Sequence, residues 1–294
     1  MPTSTSSPLG EMIRIACLME AAAPKPGNVH PDASFADMTY ADLVASASAI
    51  APVLAEAPGQ GLGATILDAV VATREVVACN TNLGIILLLA PLAAVPTERS
   101  LEEGVAEVLE GLTSQDARQV YQAIRLAGPG GLGHVPQEDV SGPPGDSLMA
   151  AMQLAAHRDA VAGCYVDRFQ RVLSWSRNWL PSAEEFVADW SDHVVGLSLR
   201  VLAQQTDSLI KRKCGTTVAA EASRRARQVL DCGWPAQPES VVTLATFDTW
   251  LRADGHQRNP GTTADLITAI LFAALRERRL TAPPLESLPV TSTP

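Results

Sequence analysis

Helix start signals recur along the whole 294-residue chain, and they constrain its fold more than any other feature. Ser7 followed by Pro8 is typical of an N-cap and a first helical turn. The capping box is a Ser or Thr with an acidic or amide side chain three residues later. Such pairs stand at several places: Thr39 with Asp42, Ser100 with Glu103, Ser182 with Glu185, and Thr262 with Asp265. Each precedes apolar residues at helical spacing, and no long period-two alternation indicates a strand, so we predict an all-α fold of about ten helices.

The chain shows no change of composition that would mark a domain boundary. We therefore predict a single compact multi-helix domain over residues 7–281, with disordered tails at 1–6 and 282–294. The most apolar run, 83–95, is too short to span a bilayer, which predicts a buried core helix. Two long polar loops, 23–38 and 127–146, interrupt the helical pattern. Loops of this length are often lids or binding loops, and a plain surface connection is the alternative.

Charge and cysteine content narrow the class of protein. The net charge is −10 and the pI about 5.0, which disfavours a nucleic-acid groove or an anionic membrane surface. The 5 cysteines are scattered and form no CxxC pair, so we expect reduced thiols rather than disulfides or a zinc site. The N-terminus has no secretory pattern. These features predict a cytoplasmic protein that acts on small molecules, and the chain could form a homodimer.

The segment Pro24-Lys25-Pro26-Gly27-Asn28 holds a lysine between two prolines. The prolines fix φ and prevent a helix there, while the glycine lets the backbone approach a ligand closely. A rigid lysine, assisted by the main-chain N–H groups of Gly27 and Asn28, suits a phosphate contact. The alternative is a helix terminator with a solvated lysine.

Asn80, Thr81 and Asn82 stand just before the apolar run. They are placed to cap the helix that follows, and capping is the simpler interpretation. A helix N-terminus with spare N–H groups is also a site for anions such as phosphate.

Asp207 is followed at one helical turn by Lys211, and then by Arg212 and Lys213. A carboxylate with three cations could hold a metal–phosphate unit, or it could be an ion pair near a helix C-terminus. Near the C-terminus, Pro-Gly-Thr-Thr at 260–263 opens the last strong helix. The simplest interpretation of Asp265 there is the third helical residue of the capping box of Thr262.

Together and in this order, these segments resemble the triphosphoribosyl-dephospho-CoA synthase family. The family pattern matches four blocks of this chain: Pro24 to His30 with Asp37-Met38, Asn80 to Gly84, Thr206 to Gly215, and Asn259 to Leu266. The resemblance implies an all-α transferase of cofactor biosynthesis that depends on Mg²⁺ or Mn²⁺. Such an enzyme moves the triphosphoribosyl group of ATP to the 2′-hydroxyl of dephospho-CoA and releases adenine.

The resemblance also implies roles for individual residues. Asp37 and Asp207 would be catalytic, and the metal ligands would come from Asp37, Asn80 and Asp207. Substrates would be held by Lys25, Gly27, Asn28, His30, Asn80, Thr81, Lys211, Lys213, Gly261 and Thr262. We expect all four blocks to meet in one cleft. A metal-dependent hydrolase of a nucleotide or ribosyl substrate, or a non-catalytic nucleotide-binding protein, would be compatible with the same residues.

Several positions depart from the family pattern. The histidine that precedes Asp-Met in the family is replaced here by Phe35 or Ala36, and a His-Lys pair is replaced by Asn82-Leu83. Leucine can neither bind phosphate nor carry a proton, and asparagine has no useful pKa near neutrality. We therefore predict a divergent branch that keeps a phosphorylated ribose donor and uses dephospho-CoA poorly, with the identity of its acceptor left open.

Overall fold

Fifteen α-helices form the part of the chain that a computed structural model describes, residues 7–128, 142, 145, 147–284 and 287–289. Within these residues there is no strand, only one isolated antiparallel bridge between His30 and Ala33. The predicted all-α class is therefore confirmed. The helices are α1 (Pro8–Ala22), α2 (Tyr40–Ala55), α3 (Leu62–Val76), α4 (Leu83–Ala93), α5 (Leu101–Glu110), α6 (Ser114–Ala127), α7 (Leu148–Ala155), α8 (Ala160–Val166), α9 (Gln170–Asn178), α10 (Ala183–Ala188), α11 (Trp190–Gln204), α12 (Ser208–Cys214), α13 (Thr216–Asp231), α14 (Pro238–Arg252) and α15 (Gly261–Arg276).

The helix count exceeds the predicted number because several helices are short. Helices α7, α8, α9, α10 and α12 contain only six to nine residues. Helices of two and a half turns or fewer show too little apolar periodicity to stand out in a sequence. Such helices are stabilised mainly by the tertiary contacts around them.

Most of the predicted helix starts are confirmed. The hydroxyl of Ser7 accepts a hydrogen bond from the Gly10 N–H at 3.1 Å, with Pro8 as the first helical residue. Both halves of the capping box form at Thr39 with Asp42 and at Ser182 with Glu185. Ser100 accepts from the N–H of Glu103 at 3.3 Å and caps α5. The fourth box, predicted at Thr262, is wrong, because α15 begins one residue earlier, at Gly261.

Helices α4 and α15 lie at the centre of the core. All residues of α4 except Gly84 are buried, which confirms the buried core helix predicted at 83–95. Helix α15 is buried from Leu266 to Arg276 and packs against α1, α4, α9 and α11. Among the described residues, no helix is both long and apolar enough to cross a membrane.

Two groups of helices pack around this centre. In the first, α1 packs on α2, α2 on α3 and α3 on α6; in the second, α11 packs on α13 and α13 on α14. Residues 1–6 and most of 127–146 lie outside the described residues, so the predicted tail and loop there stay predictions. Within the range 282–294, predicted as a tail, Leu288 is buried and packs on the core.

Candidate active site

The first turn of α15 is the point where the four predicted blocks meet. Asn28 donates from Nδ2 to Oδ1 of Asn259 at 2.8 Å, which joins the 23–38 loop to the segment before α15. Thr263 of α15 donates to Asp207, which stands at the start of α12. The carboxyl of Asp265, also in α15, lies against Gly84 at the start of α4. These contacts join blocks that are separated by up to 231 residues in sequence. The expectation that the four blocks line one cleft stays a prediction.

Asp207 joins the starts of two helices. It is the N-cap of α12, where Oδ1 accepts from the N–H groups of Leu209 at 2.9 Å and Ile210 at 3.0 Å. Its Oδ2 accepts from the N–H and the hydroxyl of Thr263 at 2.7 and 2.8 Å. Burial raises the pKa of this carboxyl, and the donated hydrogen bonds oppose that shift. Asp207 is almost fully buried and uses both oxygens for protein contacts, so it holds α12 and α15 together.

Lys25 is fully buried and does not extend into solvent. Its Nζ forms an ion pair with Oε1 of Glu20 at 3.0 Å and donates to the Ala23 carbonyl at 3.2 Å and to the Glu20 carbonyl. The alternative of a solvated lysine is therefore wrong. The prolines and the end of α1 place the ammonium group inside the protein, where Glu20, itself buried, balances its charge.

The turn after Lys25 is held by α14 and by the residues before α15. Gly27 has a φ of 75°, and a side chain there would meet Leu251 at 2.8 Å and Pro260 at 3.1 Å. Its N–H donates to Oδ1 of Asp248 at 2.7 Å. The predicted N–H donor for phosphate thus has a protein acceptor in this structure. Asn28 is buried and its Oδ1 has no hydrogen-bond partner.

His30 lies at the edge of this turn and is partly exposed. Burial lowers the pKa of its imidazole, and the positive charges of Arg252 and Lys25 lower it further. A histidine that stays neutral to lower pH than usual can accept a hydrogen bond from a ligand or a substrate.

The 78–84 block is a helix-capping turn. Asn80 accepts the N–H of Leu83 at 3.1 Å through Oδ1, which confirms the capping interpretation for this residue. Thr81 instead shares a 2.6 Å hydrogen bond with Ser46 of α2. Asn82, although it is the N-cap residue of α4, bonds to Thr73 of α3 rather than to the helix. The two departures at Asn82 and Leu83 are thus buried packing residues here.

Thr262 and Asp265 do not form the capping box that the sequence suggests. Helix α15 begins at Gly261, so Thr262 already lies inside the first turn, and its hydroxyl accepts from the Ser208 hydroxyl at 3.0 Å. A side chain on Gly261 would meet Leu209 at 2.7 Å. Asp265 accordingly has no capping role, and its carboxyl turns toward Gly84.

The basic residues of α12 differ in their surroundings. Arg212 forms an ion pair with Asp159, the N-cap of α8, at 2.7 Å. Lys211 is partly exposed and Lys213 is exposed. Asp207 makes its contacts with main-chain N–H groups and Thr263, so the alternative of an ion pair between Asp207 and Lys211 is not what the structure shows.

Asp37 is exposed and lies near a histidine. Its Oδ1 is 3.6 Å from Nε2 of His256, and that imidazole stacks on Phe35 at 4.5 Å between ring centroids. The predicted metal ligands were Asp37, Asn80 and Asp207, but Asn80 caps α4 and Asp207 holds two helix starts. Among the described residues, no group of three or more His, Cys, Asp or Glu side chains could hold a metal ion. The residues present therefore do not fit a preformed metal site.

A narrow crevice lies between α1, α2 and the start of α4, lined by Glu20, Ser46, Thr81 and Asn82 among others. Its volume of about 10 Å³ would hold roughly one water molecule, so it would have to open to admit a nucleotide. A larger groove of about 250 Å³ lies between α13 and α14, away from the predicted residues.

Sequence reasoning missed two members of this site and misread a third. Glu20 looks like an ordinary residue of an amphipathic helix, and Gly84 looks like a weak helix former. Asp265 has the residue type and the spacing from Thr262 of a capping box, but it does not form one. The small and polar residues at the starts of α4 and α15 could have pointed to Gly84 and Asp265, whereas no local signal marks Glu20 on α1.

Comparisons with known proteins agree with this architecture. A candidate triphosphoribosyl-dephospho-CoA synthase from Archaeoglobus fulgidus superposes with a TM-score of 0.62 at 24% sequence identity, over 80% of this chain and 99% of that one. At this identity the likeness shows the fold alone. A search of curated proteins finds no match. The family model described as CitG, ATP:dephospho-CoA triphosphoribosyl transferase, matches residues 6–283, and the chain belongs to this family of transferases.

Proposed function

We propose that this protein transfers the triphosphoribosyl group of ATP to the hydroxyl of an alcohol acceptor, dephospho-CoA or a related molecule, and releases adenine. The family match supports the type of transfer. The observation that carries the proposal for this chain is the meeting of four distant polar segments at the first turn of α15. Polar residues from four separate elements are not needed to cap one helix, whereas a bound substrate needs contacts on several sides.

Lys25 is the cation that we propose for the triphosphate. Its Nζ lies 3.0 Å from the Glu20 carboxylate. A lysine ammonium on its flexible stem can exchange one acceptor for another. Binding of ATP would therefore replace the Glu20 contact by a phosphate contact, and this exchange would accompany the opening of the crevice beside Glu20.

Magnesium, or manganese in its place, is proposed to enter with the donor rather than to reside in the protein. The carboxylates that were predicted as ligands form no ion site by themselves. Mg²⁺ is commonly bound through substrate phosphates with only one or two protein groups. When present, it would offset the charge of the triphosphate, and the protein carries a net charge of −10. Calorimetry of ATP binding with and without Mg²⁺ tests this, and equal affinities would contradict it.

The acceptor is proposed to differ from dephospho-CoA or to bind in another way. Where the family pattern has a His-Lys pair, this chain has Asn82 and Leu83, which are buried and packed in place. Neither offers a charge to a phosphate or a proton to a substrate. The transferase would thus use dephospho-CoA poorly while it keeps its donor.

Adenine release separates these possibilities. Purified protein is incubated with ATP and Mg²⁺, with and without dephospho-CoA, and the products are separated by chromatography. Release that requires an alcohol acceptor supports the transferase. Release without an acceptor indicates a hydrolase, and no release with any donor would indicate a nucleotide-binding protein that lacks the activity.

Compartment and assembly also remain proposals. All five cysteines are free thiols, which fits a reducing compartment such as the cytoplasm. We propose a homodimer as the assembly, and sedimentation equilibrium with and without ATP would test it.

A further inference from the structure

The carboxyl of Asp265 differs from every other carboxyl around the first turn of α15. It accepts no hydrogen bond and forms no ion pair with any residue that the structure describes. Asp207 accepts four hydrogen bonds, and Glu20 is paired with Lys25 at 3.0 Å. Asp159 caps α8 and pairs with Arg212. Asp265 is therefore the one carboxyl of this cluster, within the described residues, that is free to act on a substrate.

The absence of a side chain at Gly84 is what makes room for this carboxyl. Gly84 lies in the first turn of α4, and a Cβ there would overlap the carboxyl group of Asp265. The carboxyl therefore lies against the helix start, at the junction of α4 and α15. The crevice lined by Glu20 and Asn82 reaches the start of α4, on which Gly84 also lies.

Burial and the neighbouring carboxyls favour the protonated form of Asp265. Burial raises the pKa of Asp265 well above its usual range, and the nearby carboxyls of Glu20, Asp207 and Asp159 raise it further. Arg212 acts in the opposite direction, but it is paired with Asp159. A carboxylate with a raised pKa is a stronger base, which strengthens its attraction for the proton of an acceptor hydroxyl.

Other helices that pack against α15 also carry charged residues. Helix α12 has Lys211, which is partly exposed, Lys213, which is exposed, and Arg212, which pairs with Asp159. Helix α4 has no ionisable residue. The charged residues of α9 and α11 have partners elsewhere: Arg171 with Asp167, Arg177 with Glu102, Arg200 with the Trp179 carbonyl, and His193 with the Glu185 carbonyl. Asp192 lies in the first turn of α11, whereas Asp207 follows the opposite end of that helix.

We propose that Asp265 is the general base that takes the proton from the acceptor hydroxyl, an inference that rests on the proposed function. The acceptor oxygen forms a bond to carbon 1 of the ribose. The bond from that carbon to the adenine nitrogen breaks, and its electron pair leaves with adenine. The hydroxyl proton passes to the Asp265 carboxylate and then to solvent, and adenine takes up one proton from solvent.

The test compares Asp265→Asn with the wild-type protein and with Asp231→Asn as the matched control. Asp231 is exposed at the end of α13, so the same change of charge there leaves the site intact. Loss of a general base typically lowers the rate by a factor of roughly 10²–10⁴. We expect kcat of Asp265→Asn to fall by at least about 100-fold, KM for ATP to change by less than about 3-fold, and the acidic limb of the pH profile of kcat/KM to disappear.

The remaining outcomes are also decisive. Asp265→Asn with wild-type kcat, in an assay where the wild type is active, would overturn the base and leave the transferase intact. A wild type that releases no adenine with any alcohol would overturn both. Calorimetry of ATP binding and circular dichroism check the fold, with Asp265→Ser as a second variant. Loss of helix content and ATP binding in both variants would assign Asp265 a structural role and contradict the proposal.

Discussion

Replacement of Asp207 by alanine should destabilise the protein far more than loss of an ordinary helix cap. The variant removes an N-cap, which costs about 0.5–2 kcal/mol. It also leaves the N–H and the hydroxyl of Thr263 without the carboxylate that accepts from them at 2.7 and 2.8 Å. Hydrogen bonds to a charged group contribute about 1.5–3 kcal/mol, and buried donors left unsatisfied are costly. We therefore expect a loss of about 3–5 kcal/mol in the free energy of unfolding.

Asp42→Ala is the matched control. Asp42 is the carboxylate of the capping box of α2 and accepts from the N–H and the hydroxyl of Thr39, each at 2.7 Å, in an exposed position. Water can replace these bonds, so the expected loss is about 1 kcal/mol. Equilibrium urea unfolding, followed by circular dichroism at 222 nm, measures both variants. A loss for Asp207→Ala no larger than that of the control would refute the view that this residue holds two helix starts together.

Three further changes test other parts of the structure. Gly84→Ala should lower activity at least about 10-fold, because its Cβ would displace the carboxyl of Asp265, and it should lack the usual gain of about 0.5–1 kcal/mol in unfolding free energy. Gly163→Ala, where a Cβ meets nothing closer than 3.9 Å, should keep full activity. Equal behaviour of the two variants would contradict this. Asp116→Ala should lose about 2–4 kcal/mol in urea unfolding at neutral pH, because this carboxyl holds the starts of α3 and α6. Burial raises the pKa of Asp116, but the hydrogen bonds outweigh it and the pKa is lowered. The contribution of Asp116 to stability is therefore present above the unfolded pKa of about 3.9 and is lost as pH falls through the folded pKa. A difference in unfolding free energy between wild type and variant that stays constant below pH ~3 would be inconsistent with this. Lys25→Ala should cost about 3–5 kcal/mol by leaving Glu20 buried and unpaired, and it should weaken ATP binding by about 1.5–3 kcal/mol; adding Glu20→Gln should restore stability and not affinity, and recovery of both would argue against a phosphate contact.

The sequence allows the fold to be predicted well because the signals for it are local. Caps at Ser7, Thr39 and Ser182 depend on side chains within three residues of one another, and those contacts form as expected. The same rule fails at Thr262, since the residues before it place the helix start at Gly261. The residue pattern of a capping box can also occur inside a helix. Only the path of the preceding chain decides whether its first residue is the N-cap or lies within the helix.

The sequence identifies the segments that form the candidate site better than it identifies the roles of their individual residues. Lys25 was singled out as a ligand contact, and its partner Glu20 comes from the buried face of α1, which local pattern cannot distinguish from a packing face. Asn82 and Leu83 illustrate the reverse case. Their identity suggests a change of chemistry, and the structure shows in addition that both are used for packing.

The three aspartates discussed above begin from the same chemistry and differ through their partners. Asp42 accepts hydrogen bonds at an exposed helix start, where water competes and the contribution to stability is small. Asp207 accepts four within the core, which makes it structural and takes up the lone pairs that a proton would need. Asp265 is half-buried, lies near the carboxyls of Glu20, Asp207 and Asp159, and has no hydrogen-bond donor among the residues that the structure describes. A carboxyl without partners in the folded chain can receive them from a ligand, and this is why the base is sought at Asp265 rather than at the aspartate whose contacts are complete.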